Sequence, residues 1–221
     1  MNVLVIAPHP DDEVLGLGGT IAKRVKEGHV VYVCIVTKGC EPLFSAANVE
    51  ITKKNSLKAD SFLGVTETIF LDFPAVMIEE VPRYKLNDAL LQVVNRTKPD
   101  EVYLPHRGDM QLDHKLVVDA AMVALRPKYS HVVKRVYSYE TMSETGWDIP
   151  NAQNEFIPNV YEEISGFLGK KLKALSMFEM EVQSFPNPRS PEAVESLARY
   201  RGSTISVEAA EAFSLIREIK K

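Results

Sequence analysis

Apolar residues in this chain fall into two alternating kinds of run, one continuous and one periodic. Val3-Leu4-Val5-Ile6 is short, unbroken and rich in β-branched residues, the pattern of a strand buried on both faces. After a polar turn, Val14, Leu15, Leu17, Ile21 and Val25 recur at helical spacing, and Gly28 is placed to stop that helix. Val30 through Val36 is a second apolar strand, and 48–62 a polar helix with Ile51, Leu57 and Phe62 facing inward, closed by Gly64. Glu67-Thr68-Ile69-Phe70-Leu71 gives a third strand, Leu86, Ala89, Leu90, Val93 and Val94 an amphipathic helix, and Glu101-Val102-Tyr103-Leu104-Pro105 a fourth strand. Leu116, Val117, Ala120, Ala121 and Ala124 mark the next helix, which Pro127 ends; residues 132–139 then read as a fifth strand, alternating enough to lie near an edge. Helical patterns follow near 161–182, 191–201 and 208–219. Strands alternating with helices predict a mostly parallel sheet with helices on both faces, an α/β fold.

The turn after the first strand reads Ala7-Pro8-His9-Pro10-Asp11-Asp12-Glu13. It leaves the carboxyl end of a buried strand, where open parallel sheets bind ligands. One His and two Asp within four residues can hold a divalent metal and still leave a carboxylate spare. Capping competes with that reading, because acidic residues are favoured at the positive N-terminus of a helix and proline is common near its start. His9 is the residue capping does not explain.

The fourth strand delivers a second loop of the same design, His106-Arg107-Gly108-Asp109-Met110-Gln111-Leu112-Asp113-His114. In a parallel sheet both loops reach one rim, so His9, Asp12 and His114 could meet around one ion. Two imidazoles and a carboxylate, with a fourth position left to water, suit catalytic zinc better than structural zinc. Zinc lowers the pKa of bound water toward ~7. Asp11, beside a ligand but free itself, is then the candidate general base, and Asp113 could accept from a ligand imidazole and fix its tautomer. Taken singly, His114 as a helix-start histidine and Asp113 as an N-cap explain these residues as well.

Length and composition narrow the partners. A chain of 221 residues can bury one large core, so a single domain over 1–221 is expected. A formal net charge of −4 without a basic run argues against nucleic acid and against a membrane surface. No stretch is long enough to cross a bilayer, and two thiols, Cys34 in a strand and Cys40 in a loop, with no leader pattern, point to the cytoplasm. Gly16-x-Gly18-Gly19 lies too far along the helix for a dinucleotide fingerprint, whose first glycine sits in the turn after the strand; close helix packing is the better use. Arg107, Arg189 and Arg201 could each grip an anionic group or form ordinary ion pairs. Tyr137, Tyr139 and Trp147 could stack on a sugar or simply pack, Cys40 reads as a solvent-facing loop thiol, and Lys170, Lys171 and Lys173 as a solvated helix face.

The first motif with its trailing glycines resembles the signature of the LmbE-like, or PIG-L, zinc-dependent N-acetylglucosaminyl deacetylases. Asp109-x-x-x-Asp113-His114 is similar to that family's second motif, and Pro158-Asn159-x-Tyr161, Pro188-Arg189-Ser190, Arg201-Gly202 and Ala210-Glu211-Ala212-Phe213 look like one bacterial branch. The resemblance implies a Rossmann-like three-layer α/β sandwich, zinc on His9, Asp12 and His114, Asp11 as base, and an acetylated amino sugar or its conjugate as substrate. It also implies trimers or hexamers as a homo-oligomeric state. Where many members have a histidine that stabilises the oxyanion and protonates the leaving amine, this chain has Gln111. Gln111 can donate a hydrogen bond but cannot carry a proton, so protonated Asp11 or His106 would have to deliver it. Where the family often has an Arg and a Glu in the helix after the second strand, Lys53 or Lys54 and Asn55 stand here, and Lys53, Arg107, Arg189 and Trp147 are the expected substrate contacts. An amidase for a bulkier sugar–thiol conjugate, or a weakly active metal- and sugar-binding homologue, are the alternatives.

Overall fold

β1 (Asn2–Ala7) lies inside a sheet and divides its side chains between two cores, as an unbroken apolar strand must. Val3, Val5 and Ala7 face one core, and Leu4 and Ile6 the other. The computed structural model describes residues 1–128 and 131–220. After β1 come α1 (Asp12–Lys26), β2 (Val30–Lys38), α2 (Ala46–Leu63), β3 (Glu67–Pro74), α3 (Arg83–Thr97), β4 (Glu101–Pro105), α4 (Leu112–Ala124) and β5 (Arg135–Tyr139). These five strands are parallel. β6 (Val160–Glu163), α5 (Leu168–Leu175), α6 (Pro191–Ser203) and β7 (Ala210–Glu218) follow. The described strands form one mixed sheet in the order β3-β2-β1-β4-β5-β7-β6. Residues of α1, α2, α5 and α6 enter the first core and those of α3 and α4 the second, giving helices on both faces of the sheet. Among the described residues no helix is long and apolar enough to cross a membrane.

Several sequence expectations need correcting. Residues 210–218 form a strand, antiparallel to β5 and β6, where the periodicity favours a helix. Pairing with two neighbours overrides the helical preference of its Ala and Glu residues. The same pairing puts two further strands outside β5, which stands third from one end of the sheet, and the region near 161–182 begins with β6 before its helix. On α2, Ile51, Leu57 and Phe62 are exposed; Ser56, Ala59, Asp60 and Leu63 form the buried stripe.

Lys171 also departs from expectation. It is buried, and its Nζ lies 2.6 Å from Glu211 Oε1. The helical backbone of α1 breaks at Leu17 (φ −148°), and the second half begins with the N–H groups of Gly19 and Thr20. Both donate to the Glu211 carboxylate, at 3.0 and 2.6 Å. A side chain from β7 thus caps a helix start inside the core, and Lys171 balances its charge.

The glycines of α1 serve close packing. A Cβ on Gly16 would lie 2.3 Å from a ring carbon of Tyr139, whose hydroxyl donates to the Ile6 carbonyl at 3.0 Å. Gly16→Ala is therefore expected to destabilise the fold by about 1–3 kcal/mol, read as a lower midpoint in thermal unfolding. A midpoint at or above wild type would show that Tyr139 moves aside freely.

Asp60 offers a pH test. It is buried, it accepts from Thr68 Oγ1 at 2.6 Å, and burial pushes its pKa from 3.8 up to about 7. The unfolded carboxyl loses its proton first, so stability falls as pH rises between these two values and is level above them. Asp60→Asn removes that loss and should stabilise the protein by about 2–4 kcal/mol above pH 7, with little change near pH 4. Denaturant titrations at the two pH values check it; an equal effect at both would place the gain elsewhere.

Candidate functional site

In the sheet order, β1 stands between β2 and β4, so the chain runs outward in one direction through β2 and β3 and returns to the other side with β4. The crevice at such a reversal, beyond the carboxyl ends of the strands, is the usual ligand site of open α/β sheets. The turn after β1 and the loop after β4 meet there. Thr37 of β2 fixes the first by donating from its N–H and its hydroxyl to the Pro8 carbonyl, at 3.0 and 2.8 Å.

Asp11 occupies the left-handed region (φ 97°, ψ −25°), and its side chain makes no capping hydrogen bond to α1. Strained backbone of this kind persists where the surroundings hold it. Here the Asp11 N–H donates to Glu13 Oε2 at 3.1 Å. Capping therefore does not account for Asp11. Its Oδ2 instead meets Arg189 Nη1 at 3.0 Å, while Oδ1 is buried without a partner. Burial pushes this carboxyl up to about 8, against the pull of Arg189.

Asp12, fully buried, sits between two imidazoles. Its Oδ2 is 3.4 Å from His9 Nδ1 and 3.3 Å from His114 Nε2, and accepts from the His9 N–H at 2.9 Å. Ligating atoms of His9, Asp12 and His114 all lie within 4.8 Å of one another, a group that could hold a metal ion. Each ring's other nitrogen is engaged by a carboxylate: His9 Nε2 with Asp113 Oδ2 at 2.9 Å, His114 Nδ1 with Asp109 Oδ2 at 2.8 Å. Carboxylates behind imidazoles are the usual means of fixing the tautomer of a metal-binding histidine. Asp113 also accepts from the Val76 N–H at 2.7 Å, and Asp109 from Thr145 Oγ1 at 2.6 Å. Burial alone would lower both histidine pKa values, but Asp113 and Asp12 raise His9 to about 9, and Asp12 and Asp109 raise His114 to about 10. Asp12 Oδ1 and His114 Nε2 are buried without hydrogen-bond partners. Buried polar atoms seldom stay unpaired, and these two are among the atoms a cation would satisfy.

A cavity of about 750 Å³ opens beside the cluster, lined by His9, Asp11, Lys53, Phe70, Gln111 and Arg189 among others. The Lys53 ammonium lies 4.6 Å over the Phe70 ring. Cys40 lines this cavity too. Other expected site residues lie elsewhere. His106 meets the Asn154 carbonyl at 3.0 Å and packs edge-on against Phe156. Arg107 pairs with Asp119 at 2.7 Å and is 65% exposed, and Trp147 is 70% exposed; none of the three lines the cavity. Arg201 forms a two-point pair with Glu140, at 2.9 and 2.7 Å. Tyr137 stacks on Tyr103, and Tyr139 is fully buried.

The sequence offers no role for Ser143, Glu144 or Thr145, and marks Glu13 only as a possible cap and Asp109 only as part of the second motif. Asp109 was within reach, as an acid in the same loop as His114. The 143–145 turn carries no periodicity or motif that would point to its partners.

A family model described as PIG-L, GlcNAc-PI de-N-acetylase, matches residues 4–125, a span holding both loops and all three members of the cluster. The chain belongs to the PIG-L family. It is 29% identical over 183 residues, 79% of this chain and 88% of the relative, to the uncharacterized deacetylase YaiS of Escherichia coli (strain K12). It is 26% identical over 203 residues, 81% of this chain and 70% of the relative, to the diacetylchitobiose deacetylase of Thermococcus kodakarensis. Among solved structures, the conserved protein TT1542 of Thermus thermophilus superposes with a TM-score of 0.80 at 27% identity, covering 99% of this chain and 96% of that one. PIG-L relatives are described as deacetylases, so the chain is placed among enzymes of that hydrolytic kind.

Proposed function

We propose that this chain is a single-domain, zinc-dependent hydrolase that removes the acetyl group from an N-acetylated amino sugar or its conjugate. The observation carrying this is the meeting of His9, Asp12 and His114 within 4.8 Å, beside Asp11, at the wall of a large cavity. The donor set fits a divalent metal: two imidazoles held by carboxylates, one carboxylate, and unpaired buried atoms. A bound zinc would supply Lewis acidity at the amide carbonyl and a lowered pKa for the attacking water.

The chain's own groups do the rest. Arg189 occupies Asp11 Oδ2, so in the ionised carboxylate Oδ1 is the oxygen that takes the water's proton. The water oxygen bonds to the carbonyl carbon, and the C–N bond then breaks as the amine receives a proton. Of the two residues able to return that proton, only Asp11 lines the cavity, because His106 is tied to Asn154 outside it. Asp11 therefore serves as base and then as acid, releasing acetate and a free amine. Gln111 provides amide hydrogen bonding where the family resemblance implies a histidine. Lys53 and Arg189 are the expected substrate contacts within the cavity, whose volume suits a drug-sized conjugate as readily as a free sugar. Two unpaired cysteines support a cytoplasmic setting.

Acetate release from a panel of N-acetylglucosamine, diacetylchitobiose and larger conjugates tests the reading. Turnover should vanish after dialysis against chelator and return with zinc. A zinc-loaded protein that releases no acetate from any of them would overturn it.

A further inference from the structure

The turn after β5 touches three parts of the candidate site through three consecutive side chains. Ser143 Oγ accepts from Arg189 Nε at 3.0 Å, and Arg189 holds Asp11. Thr145 Oγ1 donates to Asp109, which holds His114. Between them, Glu144 grips the second loop twice. Its carbonyl accepts from the Met110 N–H at 3.2 Å, and its Oε1 accepts from Gln111 Nε2 at 3.2 Å. The turn is itself fixed, with Ser143 in the left-handed region (φ 80°) and the Thr141 carbonyl accepting from the N–H groups of Glu144 and Thr145. Glu144 is buried, and that burial raises its pKa above the ordinary glutamate range.

Gln111 precedes α4 at its N-cap position, yet its side chain makes no capping bond. It lines the cavity, and its amide spends one N–H on Glu144. The second N–H and the carbonyl oxygen remain for whatever fills the cavity. An unrestrained glutamine has three rotatable bonds and would sample many orientations, whereas an anchored one presents its dipole in a fixed direction. Fixed dipoles are what stabilise charge developing on a substrate oxygen. We propose that Glu144 is a positioning residue: by accepting one amide hydrogen of Gln111, it holds the rest of that amide toward the substrate, making glutamine serviceable where the family resemblance implies a histidine.

This rests on the deacetylase reading, so the test has an arm that needs no turnover. Side-chain amide signals of Gln111, assigned by their loss in Gln111→Ala, should show one proton shifted and protected from exchange in wild type. Glu144→Ala should abolish that feature, and Glu144→Gln, which keeps an acceptor oxygen, should retain it. In the kinetic arm, at equal metal content, Glu144→Ala and Gln111→Ala should each lower kcat by about 10- to 100-fold with KM little changed. Glu144→Gln should stay within about threefold of wild type, and the double variant should be no slower than Gln111→Ala alone, as expected of two residues acting as one unit. Losses that multiply in the double variant, or a Gln111 amide unaltered in Glu144→Ala, would overturn the proposal. A protein that shows the anchored amide but releases no acetate would overturn the deacetylase reading instead and leave the anchor standing.

Discussion

Asp11→Asn should lower kcat by about 10²–10⁴-fold, the range expected when a general base is removed, while the protein keeps its metal. Asparagine suits the position in every respect but one. It tolerates the left-handed backbone that residue 11 adopts at φ 97°, and its carbonyl oxygen can still accept from Arg189. Burial already disfavours charge on this carboxyl, so an uncharged replacement should not weaken the fold. What asparagine lacks is an oxygen able to take a proton at the Oδ1 position. Activity, metal content and unfolding midpoint must therefore be measured together. Activity within tenfold of wild type would remove Asp11 as the base, and metal lost along with activity would recast it as part of the binding cluster.

The meeting of the two loops was more legible in the sequence than several of the elements around them. Both loops follow strands whose apolar runs are unmistakable, and parallel pairing carries them to one rim whatever else the chain does. His9, Asp12 and His114 could thus be brought together from pattern alone. β7 could not be read this way. Its Ala210, Glu211, Ala212 and Phe213 are all buried, so it lacks the in-and-out alternation that marks a strand, and its composition favours helix. The buried face of α2 is hidden for a different reason. Its buried stripe contains Ser56 and Asp60, polar residues that a hydrophobic-pattern argument assigns to solvent.

Supporting residues were the least legible. Glu211 reaches across 192 positions to Gly19, and Thr145 across 36 to Asp109. Such contacts exist only once the sheet has formed, and no local spacing announces them. Lys171 shows the same limit, since it reads as one of several lysines on a helix until a buried carboxylate is placed against it. Arg107 and Trp147, residue types with functional associations, lie on the surface, where pattern alone gives no partner for them.

Asp12→Asn should reduce metal affinity by more than the roughly 10–100-fold typical of losing an outer partner, and activity should fall with it. The reason is the position of this one carboxylate, whose Oδ2 approaches His9 Nδ1 and His114 Nε2 at once. Asparagine can still accept from the His9 N–H, so the turn has no cause to unfold, but the negative charge facing the cation is gone. Asp109→Asn provides the contrast. It removes a carboxylate that meets His114 only at its far nitrogen and should fall within the milder range. Thermal unfolding with and without zinc separates the two cases, because a ligand at 100 times its Kd stabilises a protein by about 2.7 kcal/mol. Wild type should show a clear upward shift, Asp109→Asn a smaller one at the same zinc concentration, and Asp12→Asn essentially none. If Asp12→Asn kept the full shift, zinc would be binding elsewhere, and the convergence of the two loops would need another explanation.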